Sequence, residues 1–493
     1  MLRKIRISLA TIMLLGITWL FVDFTGTAHH WLSWMPKMQL LEAVLALNVA
    51  VVIGLAIATL LLGRIYCSVV CPLGILQDLF GRMGRKAKKN RYSYSKEVRW
   101  LRYPVLVVFV AALLTGVGSI VQLLAPYSAF GRIATTLLQP LWKMGNNVLA
   151  TIAERQDSYA FYHVETAVPN IITVSMIATV TLVVLALLAW RNGRTYCNTI
   201  CPVGTVLSFL SRFSWLKIHF DVEKCRNCSQ CSKNCKASCI DYKTHRVDYS
   251  RCVVCGNCIE SCKFGALTYN SKKVQASSQQ ADEAPSSRRS FLLATAMLTT
   301  AAMAQQKEKM MDGGLAEIED KVAPERQTPL TPPGSRSRQD FEQHCTGCQL
   351  CVSECPNQVL RPSTDLLHLM MPPMSYELGY CRPECNRCSQ VCPAGAIKPL
   401  ALEDKASTQI GHAVWIKKNC VPLTDGVECG NCARHCPVGA IEMVPADPDD
   451  EEGPYVPAVN EARCIGCGAC ENLCPARPFS AIYVEGHEVH KEV

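Results

Sequence analysis

Cys464-Ile465-Gly466-Cys467-Gly468-Ala469-Cys470-Glu471-Asn472-Leu473-Cys474-Pro475 sets four cysteines at intervals of two, two and three residues, followed by proline. Three thiolates from so short a loop can point to one side and grip one face of a [4Fe–4S] cluster. The fourth then serves a neighbouring cluster. Working outward from this stretch, the same rhythm recurs. The runs are Cys225, Cys228, Cys231, Cys235; Cys252, Cys255, Cys258, Cys262; and Cys345, Cys348, Cys351, Cys355. Then come Cys381, Cys385, Cys388, Cys392 and Cys420, Cys429, Cys432, Cys436, whose spacings are stretched. With Cys464 to Cys474 these six runs hold 24 of the 29 cysteines. Zinc sites pair two short knuckles over a longer gap, and disulfides do not follow so regular a spacing. Six [4Fe–4S] clusters are therefore expected, with these cysteines as the iron ligands.

Pairing of the runs is a separate matter. The first two lie close together and predict one compact two-cluster module over 216–273. In it Cys225, Cys228 and Cys231 are joined by Cys262, and Cys252, Cys255 and Cys258 by Cys235, with Cys239 as the alternative to Cys235. Among the last four runs the outer two have strict spacing and the inner two are stretched. That symmetry favours nested pairing, first with fourth and second with third. Proline follows the fourth cysteine in the last four runs (Pro356, Pro393, Pro437, Pro475), whereas Lys236 and Lys263 stand there in the first two.

The chain has 493 residues and a net charge of +9, unevenly spread. Residues 1–304 carry 33 Lys+Arg against 14 Asp+Glu, and the remainder 17 against 27. The basic residues flank apolar stretches and no nucleic-acid motif is present, so the asymmetry reads as membrane topology. Stretches at about 7–24, 40–63, 103–125 and 170–190 are long enough to cross a bilayer. Arg3, Lys4 and Arg6 precede the first, ten basic residues lie within 64–102, and Arg191 and Arg194 follow the fourth. By the positive-inside rule both ends of this unit face the cytoplasm.

Within this unit Gly63-Arg64-Ile65-Tyr66-Cys67 runs on to Cys71-Pro72-Leu73-Gly74. Shifted by 130 residues, Gly193-Arg194-Thr195-Tyr196-Cys197 runs on to Cys201-Pro202-Val203-Gly204. A duplication of helical hairpins would bring Cys67, Cys71, Cys197 and Cys201 to one surface as a redox or metal site. The plainer alternative is four cysteines packed beside helix-ending turns. Further on, Ser286-Ser287-Arg288-Arg289-Ser290-Phe291-Leu292-Leu293 precedes a small-residue apolar stretch ending at Ala304, the pattern of a twin-arginine export signal.

The resulting fold class is a membrane α-helical bundle, four helices plus one internal signal-anchor-like helix, with two α+β ferredoxin-like polycluster domains. Its parts are a membrane domain over 1–215, a cytoplasmic module over 216–273 and the export segment over 274–304. A Pro-rich linker over 305–340 and a four-cluster domain over 341–493 complete it. Residues 1–273 resemble the NapH membrane ferredoxin-type proteins, on the two CxxxCP strings and two clusters. Residues 286–493 resemble the NapG and MauM ferredoxin-type proteins, on the export signal and four clusters. A bacterial inner-membrane protein is expected, with 191–287 cytoplasmic by the positive-inside rule and 305–493 periplasmic by the export signal. The resemblance implies quinol as electron donor and a periplasmic reductase or cytochrome as partner. The chain departs from the pattern in being a fusion, in Lys236 and Lys263, and in Cys239.

No C-x-x-C-H string marks a haem, and no flavin or dinucleotide fingerprint is seen. His29 and His30, beside Trp31 and Trp34, are candidates for a quinone headgroup or for an interfacial belt. The function expected is electron transfer rather than stand-alone catalysis. A maturation factor, reducing metal or thiols for another respiratory enzyme, is the alternative.

Overall fold

The computed structural model describes residues 2–86, 92–158, 160–164, 171–271, 319–450 and 453–492. The linker over 274–304 with Arg288 and Arg289 lies outside them.

Among the described residues two helices are long and apolar enough to cross a membrane by length and composition. They are α1 (Leu2–Val22) and the last long helix of the bundle (Ile171–Asn192). The other two expected spans are broken. Residues 40–63 form Leu40–Leu45 and α2 (Val49–Leu62), separated where Leu47 takes a positive φ of 53°. There the Asn48 side chain accepts from the Val51 amide and starts a new helix. Residues 103–125 divide at Gly116, which closes Arg99–Thr115 in the left-handed conformation before Gly118–Leu124 begins. Hydropathy sees one apolar run in each case because a cap residue costs it almost nothing.

The two CxxxCP strings do not lie on continuous helices. Tyr66–Val69 is a single turn, after which Cys71 leads into Pro72–Lys86. Thr195–Thr199 likewise gives way at Cys201 to Pro202–Ser211. Proline at the first helical position has no amide to lose and a preset φ. Cys201 caps its helix by accepting from the Gly204 amide at 3.3 Å. Each string is thus a short helix, a corner and a second helix.

The two-cluster module is closed by Lys217–Phe220 pairing antiparallel with Leu267–Asn270, with Ile218 and Phe220 turned inward. It packs against the start of α1, where Arg3 pairs with Glu260. One apolar core continues from the bundle (Ile17, Phe21, Leu73, Leu207) into this module at Val253 and Leu267.

The C-terminal domain is held by two antiparallel ladders, Thr408–Trp415 with Ile482–Glu492 and Ile441–Pro445 with Tyr455–Val459. It has its own core around Leu330, Tyr376, Ile482 and Val484. The domain begins earlier than expected, which corrects the 305–340 linker. From residue 319 the chain is part of it, with Leu330 fully buried and the Lys321 ammonium donating to the carbonyls of Glu471, Asn472 and Cys474 at 2.6–2.9 Å. The domain packs against the far end of α1. His29 lies 2.8 Å from Glu354, and the carbonyl of Cys348 sits where a side chain on Gly131 would be. The two cluster-bearing parts therefore meet opposite ends of a helix about 30 Å long.

Candidate functional site

In the C-terminal domain each cavity is built from one run's first three cysteines and another run's fourth. Cys345, Cys348 and Cys351 share a cavity with Cys392, and Cys381, Cys385 and Cys388 share one with Cys355. Cys420, Cys429 and Cys432 share one with Cys474. Each is also lined by the proline that follows its fourth cysteine, Pro393, Pro356 and Pro475 in turn. Cys464, Cys467 and Cys470 complete the set, with Cys436 as their neighbour across the fold.

Pairing is therefore sequential, third run with fourth and fifth with sixth, and the nested pairing expected from spacing is wrong. The physical reason is strand pairing. The ladder between Thr408–Trp415 and Ile482–Glu492 closes the fifth and sixth runs into one unit whatever their internal spacing. A backbone bond from Cys381 to the Cys467 carbonyl, at 2.9 Å, joins the two units. The unit of the third and fourth runs is the one against the bundle, with the Cys348 carbonyl at Gly131 and Arg387 at Gly26.

Left-handed residues make these loops possible. Gly466 (φ 74°) and Gly468 (φ 78°) turn the chain so that successive thiols face inward, and a side chain on Gly468 would strike the Tyr376 ring. Burial pushes the Cys345 and Cys467 thiols up to about 12. Iron must displace those protons, so cluster assembly here releases acid. Among the described residues no three His, Cys, Asp or Glu side chains are close enough to share a single ion. A cube of iron and sulfide fits that spacing, because its own atoms stand between the thiolates.

In the smaller module Cys258 has Cys255, Cys252, Cys235 and Cys231 as near neighbours, and Cys239 is hydrogen-bonded to both Cys235 and Cys252, so Cys235 and Cys239 both stand beside the second set. Cys235 and Cys239 lie 3.5 Å apart, and this hydrogen bond pulls the Cys235 thiol down to about 7. Cys225, Cys228 and Cys231 face one another, with Cys262 as their expected fourth. Lys236, where other runs have proline, reaches into the bundle to pair with Asp78.

Cys67, Cys71, Cys197 and Cys201 come together, each at most 4% exposed. Cys201 has Cys197, Cys71 and Cys67 as near neighbours, so the two strings converge across the repeat. The arginines are exchanged between copies. Arg64 of the first string donates to the Cys197 carbonyl at 3.2 Å, and Arg194 of the second donates to the Cys67 carbonyl. Gly74 and Gly204 leave room for this, since a side chain at either would strike the Cys67 or Cys197 carbonyl. The sulfurs receive donors as well, from Arg64 Nη2 to Cys67 at 3.7 Å and Gln77 Nε2 to Cys197 at 3.3 Å.

Sequence reasoning missed Gln77, Asp78 and Glu354. The only available signal for Asp78 was an acidic residue beside a basic apolar segment. Of the residues considered for a quinone, His29 is turned to Glu354 and the Leu20 carbonyl, while Trp31 is 75% exposed.

Models of three families match. A 4Fe-4S binding domain covers residues 44–91 and 172–223, a 4Fe-4S dicluster domain covers 427–477, and another 4Fe-4S binding domain covers 245–268. The chain is 34% identical over 169 residues to the methylamine utilization ferredoxin-type protein MauM of Methylobacillus flagellatus, spanning 33% of this chain and 70% of that protein. It is 28% identical over 162 residues to the ferredoxin-type protein NapF of Escherichia coli, 32% of this chain and 87% of that one. It is 29% identical over 176 residues to the ferredoxin-type protein NapG of the same organism, 33% and 75%. With these matches and this ligand geometry, the chain belongs to the ferredoxin-type iron–sulfur proteins, carriers of electrons on [4Fe–4S] clusters.

Proposed function

We propose that this protein is a membrane-anchored wire, taking electrons from the quinol pool and passing them to a reductase or cytochrome on the periplasmic side of a bacterial inner membrane. The observation that carries this reading is the packing of cluster-bearing modules against opposite ends of one apolar bundle. Around the bundle Ile12, Leu15, Val107, Leu114, Leu141 and Leu187 are all more than half exposed. Water penalises a belt of that kind and lipid does not. Arg85 donates to Asn234 of the smaller module and Arg99 lines a cleft with its Asp248, and positive charge at this end supports reading 191–287 as cytoplasmic. Arg288 and Arg289 would then export the folded 305–493 domain. Six [4Fe–4S] centres conduct single electrons, and the centre of Cys420, Cys429, Cys432 and Cys474 is the last before the partner.

Adding a short-chain quinol to the anaerobic full-length protein in liposomes should bleach the cluster absorbance. Bleaching by dithionite alone, with none by quinol, would remove the quinol donor from this reading.

A further inference from the structure

We propose that Cys67, Cys71, Cys197 and Cys201 hold a seventh [4Fe–4S] cluster, seated at the repeat interface inside the bundle. Its role as a relay rests on the electron-transfer reading above, whereas its presence does not.

Charge is the first argument. Arg64 and Arg132 are both fully buried, and among the described residues neither forms an ion pair with a carboxylate. The Nε of each, and Nη2 of Arg132, have no hydrogen-bond partner. Arg132 stands beside Tyr196, which in turn neighbours Cys201 and Cys197. Two uncompensated guanidiniums in a low-dielectric interior are costly. Four neutral thiols would offer them nothing. An oxidised cube held by four thiolates carries a net charge of about −2, which offsets both.

The sulfurs are also furnished as cluster ligands are. Cys197 accepts from Gln77, Cys67 from Arg64, and Cys201 from the Gly204 amide at a helix N-terminus. Such donors tune iron–sulfur potentials and favour thiolate. Moreover, the 4Fe-4S binding model that matches 44–91 and 172–223 covers segments whose only cysteines are these four.

Position gives the site its use. On one side Arg64 Nη1 donates to the Ser250 carbonyl, two residues before Cys252, and the Arg194 amide donates to the carbonyl of Lys236, next to Cys235. On the other side the Tyr196 hydroxyl donates to the Leu124 carbonyl, next to the buried helix Pro126–Ile133, whose Tyr127 neighbours Cys348 and Cys392. The cluster would divide a span of roughly 30 Å into two shorter steps. In each step the reduced centre loses one electron and its neighbour gains it. No bond is made or broken, and no carrier need diffuse between the ends.

Iron and acid-labile sulfide in the anaerobically purified full chain should reach about 28 each, from seven clusters of four iron and four sulfide. Replacing all four cysteines by serine should remove about four of each. Values near 24 in the unaltered chain would overturn the proposal, and loss of a single iron without sulfide would replace the cluster by a mononuclear site. Should the fourfold variant fail to fold, Gln77→Leu provides a second test. Loss of its donor should lower the midpoint potential of one centre and leave six unmoved, and seven unmoved centres would count against the site.

Discussion

The bundle and the C-terminal domain gather thiols in opposite ways. In the domain three sulfurs of each set come from one loop of seven to thirteen residues, and only the fourth arrives from elsewhere. In the bundle no string supplies more than two, and the four meet only because copies 130 residues apart pack together. The domain's ligand sets are therefore local structures with one tertiary contact each. The bundle's set is tertiary structure throughout, and its integrity depends on the network that holds the two halves in register.

The sharpest way to break that contrast is at Asp78. Its carboxylate accepts from Arg194 Nε and Nη2 at 2.8 Å each, lies 3.3 Å from Arg6, and pairs with Lys236. This one residue joins α1, both strings and the smaller module. Asp78→Asn leaves three buried cations without their anion, which should cost about 4 kcal/mol. The expected outcome is loss of iron from the bundle and the smaller module while the centres of Cys345 to Cys474 persist. Equal loss from all centres, by iron count and paramagnetic resonance, would mean that the two regions are not independent.

Lys321 offers the converse. Its ammonium caps three carbonyls at the end of the Ala469–Leu473 helix, beside the ligands Cys470 and Cys474. Lys321→Met keeps the length of the stem and removes the donors, leaving those carbonyls unsatisfied at a cost of about 2 kcal/mol. Thermal loss of the centres nearest Cys470 and Cys474 should move to lower temperature, with the Cys67 tetrad unchanged.

The same contrast explains what the sequence made legible. Cysteine runs can be read because ligation by three neighbours is a property of a few residues and their glycines. Which run lends its fourth cysteine to which depends on strand pairing between Thr408–Trp415 and Ile482–Glu492, some seventy residues apart, and spacing carries no trace of it. The duplicated CxxxCP string could be recognised as a repeat, but the exchange of Arg64 and Arg194 between copies could not. An arginine beside an apolar run looks the same whether it faces water or a neighbour's carbonyl. Asn48 and Gly116 sit in runs apolar enough to read as unbroken spans. Lys236 looked only like a missing proline until Asp78 gave it a partner.

The smallest effect expected concerns pH and confines itself to the C-terminal domain. His490 packs on the last strand with its Nε2 2.9 Å from the Thr331 hydroxyl, and burial lowers its pKa to about 4. Near it stand His487 on the same strand and the backbone at Ser335. Unfolded, the imidazole would take a proton at about 6.5. Because the folded value is the lower one, the neutral ring contributes its full stability above about pH 6.5. That contribution is lost as pH falls toward 4, where the unfolded chain alone binds the proton. Allowing for partial solvent screening, the loss is about 2 kcal/mol over that window. Melting of the C-terminal domain should fall between pH 7 and pH 4.5, and His490→Gln should flatten part of that slope while leaving the bundle's transition where it was. An unchanged slope in the variant would assign the acid sensitivity to the cluster thiolates instead.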